Sequence, residues 1–304
     1  MAARPERKAP APADRSRAPA ARVPVPAHEP AGAGSEERAE RGQGLYPLLW
    51  RTGVLNVLAI ARRELGSYFV SPVGWVVVAL LIPLVSGFGY LPPLLSQVAT
   101  TEDIFGNTAI FMVFFIPLST MRLLAEERRA GTLEILLTSP VRDWEVVTGK
   151  WLGSLVFYLA SIAFTLVYVA LLSHYVPSKA DFHPLGLSFG NLDYGQVLSG
   201  YVGLILLGSS FLAIGVLASS LTRNQLIAAF VAIVLLLAVY LLLGVFSGRF
   251  PPPYSSFLDY MNGQNHFSPF LQGQVNLKDA VYFLSLTVGA LFLATRSLES
   301  RRWR

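Results

Sequence analysis

The sequence predicts an all-α membrane protein: six transmembrane helices, an amphipathic interface helix before them, and a short helix outside the membrane between spans two and three. Three observations carry this. Hydrophobic residues make up 53% of the 304 residues and charged residues only 14%, where a soluble domain carries about 25% charged residues. The apolar residues fall in runs near the ~20 needed to cross ~30 Å of hydrocarbon, and mean hydropathy is +0.50. Lys and Arg divide 21 against 3 between alternate loops, the asymmetry that orients membrane proteins. Cysteine is absent, which excludes disulfides, thiolate metal sites and cysteine nucleophiles together. A net charge of +5 would suggest nucleic acid in a soluble protein. Here the basic residues report sidedness, and the bilayer rather than nucleic acid is the expected partner.

Residues 1–44 are built of Ala, Pro, Gly, Arg and Glu, with seven prolines and no aromatic residue. Such a segment buries too little apolar surface to offset its ordering entropy. It also lacks the apolar block of a signal peptide, so it reads as a disordered cytoplasmic tail preceding a transmembrane domain at 45–304. Over 47–65, Trp50, Val54, Val57, Leu58, Ala61 and Leu65 share one helical face, with Arg51, Thr52, Asn56, Arg62 and Arg63 opposite. That stripe is too short and too charged to span a bilayer and fits a helix lying in the interface. A surface helix packed on protein is the plainer alternative.

Six apolar segments follow at about 74–95, 104–121, 151–176, 197–217, 225–246 and 277–295. Pro83, Pro92, Pro93 and Pro117 fall in or beside the first two, where kinks are expected. The sidedness of the basic residues puts both termini and the loop 122–150 in the cytoplasm. None of the six segments has an Asp, Glu, Lys or Arg in its interior. A mid-membrane charge costs at least ~2.5–3.5 kcal/mol and is kept mainly where ions or protons move, which weighs against an ion-coupled transporter or a voltage sensor. The long outer loop 247–279 carries Pro251-Pro252-Pro253 and two aromatic patches, Tyr254, Phe257, Tyr260 and Phe267, Phe270. Part of it is expected to dip back into the outer leaflet or to cap a path between the spans, which is tolerated where protein shields the backbone; a loop that merely connects is the plainer alternative.

The loop 122–150 holds most of the polar interest. Span two is expected to continue as a helix through Glu126, Glu127, Arg128 and Arg129 and to break at Gly131. Thr132, Leu133, Glu134, Leu136 and Leu137 then read as a short amphipathic helix, with the leucines on one face. Ser139 and Pro140 form an N-cap and first-turn pair, so a third helix starts there and leads into span three. The leucine face needs a cover, whether a partner, the lipid headgroups or the chain's own helices. Gly149-Lys150 looks like the end of a phosphate-binding loop, but Trp151 replaces the required Ser or Thr and Trp144 stands where that loop has Gly. Paired glutamates beside arginines also suggest an intramembrane hydrolase. Metal-assisted hydrolysis needs ligating histidines nearby, and His28, His174, His183 and His266 all lie on the tail or the outer side. No catalytic or metal-ligating set is expected.

At this loop the sequence resembles the permease subunits of ABC-2-type transporters. Glu127-Arg128-Arg129-Ala130-Gly131-Thr132-Leu133-Glu134 with Leu136-Leu137-Thr138-Ser139-Pro140 and Gly149-Lys150 is similar to that family's coupling loop. Arg63-Glu64-Leu65 with Tyr68-Phe69-Val70-Ser71-Pro72 resembles the approach to its first span. Asp279, Tyr282-Phe283-Leu284-Ser285 and Leu298-Glu299-Ser300-Arg301-Arg302-Trp303 resemble the last span of the subgroup associated with gliding motility. A nitrous-oxide-reductase maturation permease is a more distant relative. The long Pro/Ala tail departs from the pattern.

The resemblance implies a non-catalytic permease in a bacterial inner membrane, bound on its cytoplasmic face and powered by a separate ABC ATPase that carries ATP and Mg. The chain itself is expected to bind no cofactor. It also implies a second permease copy, the same chain or a close paralogue, and allows for an auxiliary membrane protein. The coupling helix then fits a groove on the ATPase, and an exporter-type path lies between the two copies. The alternative is an ATPase-bound anchor or mechanotransmission subunit that moves no solute.

Overall fold

The structure, a computed structural model, describes residues 53–96, 101–131, 141–175 and 193–302. Contacts divide the chain into Met1–Pro47 and Leu48–Arg304; the fold below is that of the second unit. The expected tail, Trp50, and the coupling residues Thr132, Leu133, Glu134, Leu136, Leu137, Ser139 and Pro140 lie outside the described residues.

Among the described residues every regular element is helical. Helix α1 (Gly53–Val70) ends at Ser71, and α2 (Pro72–Leu84) leaves it at a 70° bend. Pro72 suits the first position of a helix because its missing N–H would have no intrahelical partner. Pro83 lies inside α2, and a π-helical turn, Val85–Tyr90, follows before α3 (Leu91–Ser96). Such distortions gather at prolines, which lack the donor for a regular turn. Helices α4 (Glu102–Thr120) and α5 (Arg122–Ala130) together form a 29-residue span. The helix stops at Gly131, whose φ of 71° is left-handed and favours glycine.

Helix α6 (Asp143–Ala163) gives way at Phe164–Thr165 to α7 (Leu166–Tyr175), with the Thr165 hydroxyl donating to the Ile162 carbonyl at 2.5 Å. Asp193 caps α8 (Tyr194–Leu221) by accepting from the Gly195 N–H at 2.8 Å. Asn224 caps α9 (Gln225–Leu237) in the same way through the Leu226 N–H at 2.9 Å. A π-helical turn, Ala238–Leu242, leads to α10 (Leu243–Ser247). After α11 (Tyr254–Met261) and α12 (Gly263–Leu271), the long α13 (Leu277–Arg302) closes the fold.

Among the described residues, five helical stretches are long and apolar enough to cross a membrane: Glu102–Ala130, Asp143–Leu172, Tyr194–Leu221, Gln225–Ser247 and Leu277–Ser300. A sixth qualifies only as the bent pair of α1 with the helix after it. Five of the six expected segments coincide with these stretches, and the one at about 74–95 follows the bend and qualifies only together with α1.

Helix α8 is the hub. Its apolar window is 78% buried, against 28% for Gln225–Ser247 and 33% for Leu277–Ser300. Its small residues make this packing close: Gly200 receives Phe105, Gly203 receives Phe270, Gly208 receives Tyr158 and Gly215 receives Thr120. Small residues let helices approach in lipid, where dispersion and shape replace the hydrophobic effect. All four neighbours belong to this chain, so these glycines serve packing within one subunit. A Cβ on Gly208 would collide with the Tyr158 ring, whose hydroxyl is held by the Leu204 carbonyl at 2.6 Å. Overpacking of this kind costs about 1–3 kcal/mol. Gly208→Leu is expected to lower the yield of monodisperse protein severalfold in size-exclusion chromatography, with Gly289→Leu, which meets open space, unchanged.

One expectation is corrected. The helix leading into the third span does not start at Ser139-Pro140, because residues 141 and 142 are non-helical; α6 starts at Asp143 and carries Glu145 and Lys150 buried in its first turns. Arg142 is the N-cap, and its N–H donates to the Glu145 carboxylate at 3.2 Å; acidic side chains favour a helix N-terminus. The loop 247–279 is largely helical. Its second aromatic patch, Phe267 and Phe270, is buried against the bundle, while Tyr254, Phe257 and Tyr260 stay exposed.

Candidate functional site

Helices α1 and α6 pack in close contact because α6 carries Gly149 and Gly153 one turn apart. A Cβ at 149 would lie 2.8 Å from Ile60, and one at 153 would lie 2.8 Å from the Ala61 carbonyl. This approach brings Glu64 of α1 to Lys150 of α6, with Oε1 2.6 Å from Nζ. From the other side Glu127 of α5 places its Oε1 2.8 Å from the same Nζ. The side chains of Lys150, Glu64 and Glu127 are 2%, 13% and 18% exposed. One ammonium thus clamps two carboxylates supplied by three elements far apart in sequence.

The surroundings hold those elements in register. The Asn56 amide donates to Glu145 at 3.0 Å. The Tyr68 hydroxyl donates to the Ser119 carbonyl at 2.9 Å, and its ring stacks on Phe157 at 4.5 Å. Arg122 bonds the Ser71 hydroxyl and lies 3.8 Å from Glu126. Where α4 turns into α5, Ser219 of α8 accepts from the Leu124 and Ala125 N–H groups at 3.0 and 3.1 Å and contacts the Met121 carbonyl at 3.1 Å. It satisfies backbone groups that the break would otherwise leave buried without partners. Arg128 reaches the Thr222 carbonyl at 3.5 Å. A polar cleft of about 270 Å³ opens beside the clamp, lined by Arg63, Ser67, Arg122 and Glu126 among others.

Of the sequence-predicted coupling residues, Glu127 enters the clamp, Arg128 ties α5 to the end of α8, Glu126 faces outward and Gly131 ends the helix. In the interface helix, Glu64 turns inward, while Val54, Leu58, Arg62 and Arg63 are exposed. Val54 and Leu58 therefore part company with Ala61, which is buried. Sequence reasoning missed Lys150 as a site residue. Its neighbour Gly149, one half of the apparent phosphate loop, is there for the contact with α1. The signal was present as two glycines four apart on a helix with a lysine between them.

A buried ion cluster is weak evidence for stability, since desolvation offsets the Coulomb attraction, but it enforces one arrangement of the groups it joins. Chemically, this arrangement has no nucleophile paired with a base; it is suited to fixing three helices together at the basic end of the bundle. The family model for "ABC-2 family transporter protein" matches residues 58–301. The chain belongs to this family. The match takes in the clamp residues, all the long spans and most of α1. No curated protein matches the chain. As an ABC-2 family member with several apolar spanning helices, it is a membrane component of an ABC transporter.

Proposed function

We propose that this ABC-2 protein is the permease of an exporter-type transporter in a bacterial inner membrane, driven by a separate cytoplasmic ATPase that docks on the loop 122–150. The observation that carries the reading is the Lys150 clamp. It locks α5, the helix feeding directly into the docking segment, to α1 and to the foot of the third span. A push on the segment after Gly131 then reaches the spans through a rigid joint rather than a slack loop. In this orientation the basic end is cytoplasmic, following the 21-to-3 division of Lys and Arg.

The interface helix fits the same scheme. Its 70° bend from the first span lets α1 lie along the membrane surface. Val54, Leu55 and Leu58 face outward toward lipid, and Arg62 and Arg63 reach toward headgroups. The last-span motifs support a place near the gliding-motility subgroup. Two copies are needed, because an ATPase pair presents two equivalent docking grooves and closed two-fold symmetry requires two permeases. Gentle purification from the native membrane, followed by identification of co-purifying chains, tests the reading. A soluble ATPase at one copy per permease is expected, and a permease that purifies alone overturns it.

A further inference from the structure

The end of the bundle opposite the clamp holds a second buried pair of titratable groups, one that ATPase docking does not use. His266 of α12 places Nδ1 2.6 Å from Oδ1 of Asp279, which stands in the first turn of α13. The two side chains are 8% and 1% exposed. The other carboxylate oxygen accepts from the Asn276 amide at 3.1 Å. The second ring nitrogen of His266, Nε2, lies 2.8 Å from the Tyr260 carbonyl. The Tyr282 ring stacks on the imidazole at 4.0 Å, and the Tyr260 ring meets it edge-on at 5.2 Å. Tyr240 packs on Gly263 at the start of α12. Among the described residues Asp279 bonds no Lys or Arg, and the nearby Asp259 and Lys278 are exposed.

Hydrogen-bond chemistry fixes the protons here. A backbone carbonyl only accepts, so Nε2 must carry a hydrogen to bond Tyr260. An ionised carboxylate only accepts as well, so Nδ1 must carry one too. The pair therefore holds one proton more than a neutral histidine beside an ionised aspartate, whether that proton rests on the ring or on Asp279. Without it, a nitrogen lone pair faces an acceptor at one of the two contacts. In so buried a place an unmade bond costs the full desolvation of the group. The setting suits the ion pair: Asp279 sits at a helix N-terminus, and aromatic faces attract a cation. What the bonds hold is α11. None of its side chains is buried. The carbonyls of its last three residues, Asp259, Tyr260 and Met261, are met in turn by Asn265, His266 and Tyr282 at 3.2, 2.8 and 2.7 Å. His266 is the middle one, and through Asp279 it ties α11 to α13.

We infer that the His266–Asp279 pair is a proton-operated latch, which holds the end of α11 against α13 while it keeps its extra proton and releases it when that proton is lost. The bonds are complete on the acidic side and broken on the alkaline side, so α11 comes free as pH rises. In the orientation proposed above, the latch reads the pH of the outer compartment. Tyr260, Met261 and Tyr282 also line an apolar groove between α9 and α13, so release of α11 reshapes that groove at this end. The inference is independent of whether an ATPase docks at the other end.

The test uses the full-length protein in lipid nanodiscs. Because the chain has no cysteine, a spin label on Ser256→Cys, exposed in α11, reports on α11 alone. A label on Leu226→Cys, exposed in α9, is the control for the rest of the bundle. Spectra are taken from about pH 5 to about pH 9, across the range in which histidine changes charge. The mobile fraction at 256 is expected to rise severalfold with pH, while the label at 226 stays unchanged. Two substitutions separate the proton from packing. His266→Gln removes the titrating ring, so mobility at 256 should lose its dependence on pH. Asp279→Asn offers an amide N–H to Nδ1, so a neutral ring completes both bonds and the label should stay immobile throughout. A label at 256 that is equally immobile at both ends of the range overturns the inference. So does an Asp279→Asn protein that still frees α11 as pH rises, or a change at 226 that matches the one at 256. Should Asp279→Asn fail to fold, the comparison of the unsubstituted pair with His266→Gln decides, and equal pH responses in the two overturn the latch.

Discussion

Lys150→Met is expected to destabilise the protein by about 3–5 kcal/mol, the usual cost of removing one partner from a buried ion pair. Glu64 and Glu127 would be left facing each other at the former position of the ammonium, each little exposed. Against a typical total of about 5–15 kcal/mol, that is a large share. The apparent melting temperature of detergent-solubilised protein should fall by many degrees. The decisive control replaces the whole cluster. Lys150→Met combined with Glu64→Gln and Glu127→Gln removes every charge, and buried ion clusters exchanged for neutral groups are often nearly neutral in stability. Melting is expected to return close to wild type in the triple variant, while coupling of ATP hydrolysis to the permease stays impaired. A single Lys150→Met variant as stable as wild type would contradict the clamp.

The second large effect lies in the docking segment. Leu136→Ser with Leu137→Ser strips the apolar face proposed to enter the ATPase groove. Burial of a leucine contributes roughly 1.5–3 kcal/mol, and two together correspond to a loss of affinity of two to four orders of magnitude at about 1.4 kcal/mol per tenfold. The double variant should insert and fold as wild type does, since these residues lie between spans rather than within them. Its ATPase should be lost on purification. Retention of the ATPase at the wild-type ratio would move the docking site elsewhere.

What the sequence made legible was local. Long apolar runs give the spans, because crossing hydrocarbon demands about twenty such residues in a row whatever they later touch. The break at Gly131 was legible for the same reason, since a glycine after a charged helical turn offers the left-handed residue that ends a helix. The start of the third span was not. Ser139-Pro140 and Arg142 with Glu145 are two capping signals only a few residues apart, and a single strand of text does not rank them. The structure places the helix start at the second.

Long-range pairing was the larger gap. Lys150 meets Glu64 across 86 positions and Glu127 across 23, and neither spacing is a motif. The interface helix was read as having one apolar face. In the fold that face divides, because the glycines of α6 draw Ala61 and Glu64 inward and leave Val54 and Leu58 outside. His266 and Asp279 looked like unrelated outer residues until α12 folded back and set them 2.6 Å apart. The glycines of α8 left open whether they served a second copy or the same chain, and only their neighbours settle that.

The central claim is that this ABC-2 protein works as a pair of permeases, each docked to an ATPase. The mass of the intact complex, released gently from the native membrane and measured by native mass spectrometry, tests it most directly. The account predicts two permease chains and two ATPase chains in one particle, with the Leu136→Ser, Leu137→Ser variant yielding permease alone. A particle with one permease per ATPase pair, or a wild-type permease with no ATPase, would contradict it.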